Sequence, residues 1–193
     1  MKTVLVAFNA RFSHSSLALR YIKAYNAQKD IEFAEFSIND RIHRAYSELL
    51  KMNGDMYCFS VYIWNLEITL KVAQMLKKGK PDVVITFGGP ECSYCPEEIF
   101  EKHGFVDYVL RGEGEVITGR LIDALEKGEE VNIKGVAKRG YMSEIADCVD
   151  LDTVKFPYET FDGLENKIVY FETSRGCPFR CSYCLSSIEK GIR

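Results

Sequence analysis

Val4-Leu5-Val6-Ala7-Phe8 is an unbroken apolar run, followed by Asn9-Ala10-Arg11 and the serine-rich loop around His14. A short continuous run bounded by turn residues reads as a strand covered on both faces. An amphipathic stretch follows, with Leu17, Ala18, Tyr21, Ile22 and Tyr25 on one face, the spacing of a surface helix. The same alternation then repeats along the chain. Ile31 to Ile38 alternates apolar and polar, as expected of a strand nearer an edge, and a helical segment covers about Arg41 to Met52. Met56 to Ile63 is rich in β-branched and aromatic residues and reads as the third strand. Leu66 to Lys78 predicts a helix stopped by Gly79 and Pro81. Val83 to Phe87, Val106 to Leu110 and the helices at Pro96–Lys102 and Glu115–Leu125 complete the series.

Strand–helix alternation of this kind predicts an α/β fold, a doubly wound parallel sheet of five strands with right-handed crossovers. The expected order is flavodoxin-like, 2-1-3-4-5. Ligands of such Rossmann-like sheets sit outside the carboxyl ends of the strands, where the order reverses. The loops after strands one, three, four and five are therefore the ones to read.

The pattern breaks after Leu125. Ile133 to Tyr141 reads as a small hairpin or an edge strand, residues 141–166 as a linker, and Ile168-Val169-Tyr170-Phe171 as a new buried strand. The expected organisation is a Rossmann-like unit over 1–140, the linker, and the start of a second domain over 167–193.

Composition sets outer limits. The 193 residues are 47% hydrophobic and 27% charged, the balance of a globular chain rather than a disordered one. With 25 basic against 28 acidic residues, the net charge of −3 gives no electrostatic case for nucleic acid. No apolar run approaches the roughly 18 to 20 residues of a spanning helix, and the start lacks a secretory signal. A cytoplasmic protein without a membrane partner is expected.

Seven cysteines in such a chain argue for a metal rather than a disulfide framework. Cys58, Cys92, Cys95 and Cys148 are scattered and suggest no role, whereas Cys177, Cys181 and Cys184 share one short segment as C-x3-C-x2-C. Structural zinc wants four closed ligands, and neither His103 nor Cys148 is close enough in sequence to be the fourth. Three thiolates suit a [4Fe–4S] cluster with one open iron, which this reading favours over zinc.

With Tyr183 before the last cysteine and Ser174-Arg175-Gly176-Cys177-Pro178 leading in, the segment resembles the radical SAM enzymes. The resemblance implies that Cys177, Cys181 and Cys184 hold a [4Fe–4S] cluster whose open iron chelates S-adenosylmethionine, with Tyr183 against the adenosyl group. Reduction by a donor such as flavodoxin or ferredoxin would then cleave S-adenosylmethionine to a 5′-deoxyadenosyl radical.

Gly88-Gly89-Pro90-Glu91 after the fourth strand and Arg111-Gly112-Glu113-Gly114-Glu115 after the fifth add to this. Each loop alone is no more than a strand-to-helix turn, and G-x-G-x-x-G is absent, which disfavours a dinucleotide. Together with the cysteine motif they resemble the cobalamin-binding class of radical SAM proteins, in which an N-terminal domain holds the corrin at its strand ends. This chain looks like a branch apart from the porphyrin-cyclase and methylthiotransferase members, distantly similar to the anaerobic Mg-protoporphyrin IX monomethyl ester oxidative cyclase. The resemblance implies corrin contacts from Ser60, Tyr62, Asn65, Gly88, Gly89, Pro90, Gly112 and Glu113, with the loop from Asn9 completing the rim. Trp64, next to Asn65, suits a corrin edge or the core equally. Relatives that ligate cobalt with histidine use D-x-H-x-x-G; here Phe12-Ser13-His14-Ser15-Ser16-Leu17 lacks the aspartate and the glycine, so His14 is expected to leave the cobalt alone.

The implied protein is the N-terminal portion of a B12-dependent radical SAM enzyme of methyltransferase or cyclase type, too short to contain catalytic residues of its own. Two alternatives stand beside it: a stand-alone cobalamin carrier, and a flavodoxin-like electron-transfer or regulatory protein with a zinc-binding cysteine tail.

Overall fold

A computed structural model describes residues 1–161, 163–188 and 191–193. Asp162 of the expected linker, and residues 189–190 beyond the cysteine motif, lie outside the described residues.

The opening run forms β1 (Thr3–Asn9), an inner strand of the sheet that is buried along nearly its whole length. Its pleat sends alternate side chains to opposite faces. Val4, Val6 and Phe8 pack into one core with Ala45, Leu49, Val72 and Leu76, whereas Leu5 and Ala7 enter another with Leu19, Leu121 and Ile122. This two-sided burial explains the unbroken apolar run.

The elements that follow are α1 (Leu17–Tyr25), β2 (Ile31–Ser37), α2 (Ile42–Met52), β3 (Met56–Ser60) and α3 (Leu66–Gly79). Next come β4 (Val84–Gly88), the single turn α4 (Pro90–Ser93), α5 (Pro96–Lys102), β5 (Tyr108–Leu110), α6 (Gly114–Lys127) and β6 (Val136–Lys138). The sheet order is β2-β1-β3-β4-β5-β6. Pairing is parallel from β2 through β5, in the expected 2-1-3-4-5 order, and β6 joins β5 antiparallel as an edge strand. Helices α2, α3 and α5 contribute to one core, α1 and α6 to the other. The short α4 has no counterpart in the sequence pattern: Pro90 starts a turn that Pro96 restarts as α5, and four residues carry no helical period.

The strand expected over residues 168–171 does not form. Ile168 makes one isolated parallel bridge with His14, and Ile168, Val169 and Phe171 remain exposed. β-branched and aromatic residues favour a strand only where a neighbouring strand and a covering layer exist, and among the described residues this segment meets neither. Further along the chain, β7 (Gly176–Cys177) and β8 (Gly191–Ile192) pair as a two-residue antiparallel ribbon.

Candidate functional site

The parallel strands β1, β3 and β4 end side by side, and the loops that leave them form one rim. Asn65 organises it. Its side chain is buried; Nδ2 donates to the carbonyls of Phe8 and Ser60, both at 3.0 Å, and Oδ1 accepts from Tyr62 N–H at 2.8 Å. One amide thus ties the end of β1 to the end of β3 and turns the chain so that Tyr62 and Trp64 stack at 4.4 Å between ring centroids. Asn9 acts similarly on the first loop, donating to His14 O at 3.0 Å and to Glu35 Oε1 at 3.1 Å. Glu35 is held from the other side by Arg20 at 2.7 Å, and Ser16 N–H also donates to it. Ser16 occupies the N-cap of α1, but its own side chain makes no capping bond; the Glu35 carboxylate accepts from the Ser16 N–H, as the reciprocal carboxylate of a capping box does.

Gly89 is a conformational requirement. Its φ is +103°, and a Cβ there would lie 2.5 Å from the carbonyl oxygen of Val61. Only glycine lets the loop after β4 cross so close to the end of β3. Gly88 sits beside it, its carbonyl accepting from Val61 N–H at 2.7 Å, and Pro90 is the first residue of α4. Ser60, Tyr62, Gly88, Gly89 and Pro90 are all partly accessible at this rim.

The rim is also apolar. Phe12 is 70% exposed, Ile63 78% and Trp64 50%, on the loops after β1 and β3. Large side chains left exposed on the loops of two neighbouring strands are the kind of surface a broad, mostly apolar ring system would cover. Phe12 and Ile63 are exposed residues of these loops that sequence reasoning did not single out, because an apolar residue near a strand end looks the same as a core residue. This patch and the glycine crossing fit a corrin lying on the strand ends.

The loop after β5 is built differently. Arg111 donates from Nε to Ser93 O at 2.8 Å and from its guanidinium to Ser143 O, stapling residues 143–146 onto the unit. Gly112, at φ +109°, packs where a Cβ would meet Ala146 at 3.2 Å. Glu113 accepts from Arg193 at 2.7 Å and from Val149 N–H at 2.5 Å, and Arg175 lies 3.2 Å away. Burial alone would raise the Glu113 carboxyl, but Arg193, the Val149 N–H and Arg175 outweigh it and hold it below the ordinary carboxylate range. Glu115 is buried and meets Arg175 at 2.6 Å.

His14 is held by Tyr170, its Nδ1 lying 2.6 Å from the phenol oxygen with the two rings stacked. Ile168 N–H donates to Ser13 O at 2.6 Å, and Ser15 Oγ donates to Ile168 O at 2.8 Å. Residues 168–170 therefore lie along the loop after β1.

Cys177, Cys181 and Cys184 are partly exposed, and the Tyr183 ring is 91% exposed. Among the described residues, no group of three or more His, Cys, Asp or Glu side chains is gathered to hold a metal ion, these thiols included. As a donor set they fit a soft metal, being accessible thiols in one loop. Cys58 and Cys92 are buried in the sheet unit. Among the described residues no helix is long and apolar enough to cross a membrane.

Residues 3–122 match the B12 binding domain family, covering every element from β1 into α6. The chain belongs to that family. This bears out the resemblance drawn from the strand-end loops. The chain is 32% identical over 155 residues to the cobalamin-dependent radical SAM methyltransferase TokK of Streptomyces tokunonensis, an alignment covering 67% of this chain and 22% of that protein. It is 30% identical over 131 residues to the anaerobic magnesium-protoporphyrin IX monomethyl ester cyclase of Synechocystis, covering 61% and 26%. The chain thus spans about a quarter of the length of these relatives. Its fold matches the cobalamin-dependent S-adenosylmethionine radical enzyme OxsB, solved with aqua-cobalamin and S-adenosylmethionine bound, with a TM-score of 0.80 at 21% identity, over 95% of this chain and 28% of that one.

Proposed function

We propose that this chain is the cobalamin-holding portion of a B12-dependent radical SAM enzyme, with the corrin lying across the carboxyl ends of β1, β3 and β4. The observation that carries this reading is the exposed apolar rim of Phe12, Ile63 and Trp64 beside the Gly89 crossing, inside a B12-binding domain. Names of relatives that combine cobalamin with radical SAM chemistry support the wider assignment.

In this reading Tyr62 and Trp64 offer a stacked aromatic edge to the corrin. Ser60, Gly88, Gly89 and Pro90 bring backbone close to it. Asn65, with both polar atoms of its amide engaged by the carbonyls of Phe8 and Ser60 and the Tyr62 N–H, and Asn9, whose Nδ2 is engaged by His14 O and Glu35, frame the loops. Bound cobalamin would supply methyl-transfer or redox chemistry at its cobalt. Cys177, Cys181 and Cys184 would hold a [4Fe–4S] cluster, whose chemistry is reductive cleavage of S-adenosylmethionine with an electron from flavodoxin or ferredoxin; Tyr183 would face the adenosyl group. Drawing the three thiols together requires the loop to rearrange, because they are not gathered in the structure.

Titration with hydroxocobalamin, followed by visible absorbance, tests the first assignment. Saturable binding at micromolar protein, weakened at least tenfold by Trp64→Ala together with Phe12→Ala, is the expected result. No spectral change would end the corrin reading. Anaerobic reconstitution with iron and sulfide, read by metal analysis and EPR, tests the second; zinc without a cluster would refute it.

A further inference from the structure

The Arg111–Glu115 loop and the Arg175 segment are joined across 60 residues of chain by an ion-pair cluster that corrin binding does not explain. Each nitrogen of the Arg175 guanidinium has a carboxylate partner: Nε meets Glu172 at 2.9 Å, Nη1 meets Glu113 at 3.2 Å, and Nη2 meets Glu115 at 2.6 Å. The guanidinium carbon lies 5.3 Å from the centroid of Tyr21, which supports its face. Arg193 reaches the same Glu113 carboxylate, and its backbone pairs with that of Arg175 in both directions, at 3.1 and 2.9 Å.

The glycines of the loop are equally committed to protein contacts. Gly112 fits against Ala146, and a Cβ on Gly114 would lie 2.7 Å from the Ile22 side chain. Every residue from Arg111 to Glu115 therefore has a structural use within this chain. Arg175 stands two residues before Cys177, so whatever fixes its guanidinium fixes the entry to the cysteine loop.

We propose that the Arg111–Glu115 loop is the receptor for the cysteine segment, with Glu113 and Glu115 as positioning residues that hold Arg175, and through it the Cys177–Cys184 loop, at the end of β5. This rests on the reading above only in giving that loop a cluster to carry. The carboxylates face a planar fork, the geometry that distinguishes arginine from lysine. The site is shielded, since Glu115 and the side chains of Glu113 and Arg175 are all little exposed, so salt screens it weakly.

The test uses the whole chain, with Glu113→Gln/Glu115→Gln as one variant and Arg175→Gln as a second that leaves the sheet unit untouched. Three readouts are compared with the parent: backbone hydrogen exchange over 172–184, hydroxocobalamin affinity, and iron retained after reconstitution and desalting. The expected result in both variants is at least tenfold faster exchange and at least twofold less iron, and in Arg175→Gln also a Kd within twofold; Arg175→Lys falls between parent and Arg175→Gln. Unchanged exchange, unchanged iron retention, or a tenfold weaker Kd in Arg175→Gln would each overturn the proposal, the last by making the loop a corrin subsite. Should the double Gln variant fail to fold, Arg175→Gln alone decides. A parent chain that binds no corrin or takes up no iron refutes the corresponding part of the proposed function, while hydrogen exchange still decides the latch.

Discussion

His14 Nδ1 lies 2.6 Å from the hydroxyl of Tyr170, so the histidine of the loop after β1 is oriented by a residue 156 positions later in the chain. The partner is a phenol on a crossing segment rather than a carboxylate beside the histidine, so the ring lacks the charged support that metal-ligating histidines usually have. Replacing His14 by Ala should therefore leave the visible spectrum of bound hydroxocobalamin unchanged. It should also free the crossing segment, costing about 1 kcal/mol for the lost hydrogen bond. A spectrum that loses a nitrogen-ligand signature in the variant would instead place His14 on cobalt.

Asn65 makes a sharper stability prediction. Asn65→Ala leaves two carbonyls and one N–H without their partner, at a cost of about 2–4 kcal/mol in urea unfolding. Asn65→Asp should be worse despite its similar shape. The ionised carboxylate cannot donate, and it would face the carbonyls of Phe8 and Ser60 at the present 3.0 Å contacts. If the Asp variant unfolds later than the Ala variant, the donor assignment is wrong.

Gly89 and Gly128 separate steric from conformational cost. Both have positive φ, +103° and +66°, but a Cβ on Gly128 meets nothing within 4 Å, whereas one on Gly89 meets Val61 O. Gly128→Ala should cost about 1 kcal/mol, the strain of a left-handed alanine. Gly89→Ala should cost upwards of about 2 kcal/mol, since its backbone region is nearly closed to side chains, and should weaken corrin binding as the rim shifts. Equal melting temperatures for the two variants would contradict this.

The fold is legible in the sequence because burial leaves a periodic trace. β1 is apolar throughout because both its faces are covered, and β2 is more polar and partly open along its middle because it is an edge strand. The site is legible only in part. Gly89 is marked by its residue type, but the hydrogen bonds of Asn65 run to backbone atoms and leave no pattern in the sequence. The Glu113–Arg175 contact joins two loops that no local rule pairs, and opposite charge alone is too common a signal to pick it out. Residues 168–171 carry the composition of a strand without forming one, because propensity reports what a segment favours when a neighbour is present.

The thiols should divide by access. Burial pushes Cys58 and Cys92 up to about 12, so at pH 8 they hold almost no thiolate and are shielded from reagent as well. Iodoacetamide followed by mass spectrometry should label the exposed Cys95 and the partly exposed Cys177, while Cys58 and Cys92 react only once the chain is unfolded. Early modification of Cys58 would mean that the sheet opens near β3.

Acid should release the cysteine segment before it unfolds the sheet. Glu113 is held below the ordinary carboxylate range, against the effect of its own burial, by Arg193, the Val149 N–H and Arg175. A carboxyl depressed in the folded state contributes its full stabilisation above the unfolded value of about 4.3 and loses it as pH falls through the folded value. Arg175 stays charged throughout, its pKa raised by Glu115 and Glu172 despite burial, so the loss comes from the acid side of the cluster. Hydrogen exchange over 172–184, corrected for intrinsic rates, should be independent of pH between about 5 and 8 and should rise as pH falls below about 4. The core of β1 should remain protected in that window, because the Arg193 and Arg175 contacts lie outside it. Glu113→Gln should flatten the acid dependence while raising the exchange at neutral pH. A parent chain whose segment and sheet lose protection together would show that the latch and the fold are one cooperative unit.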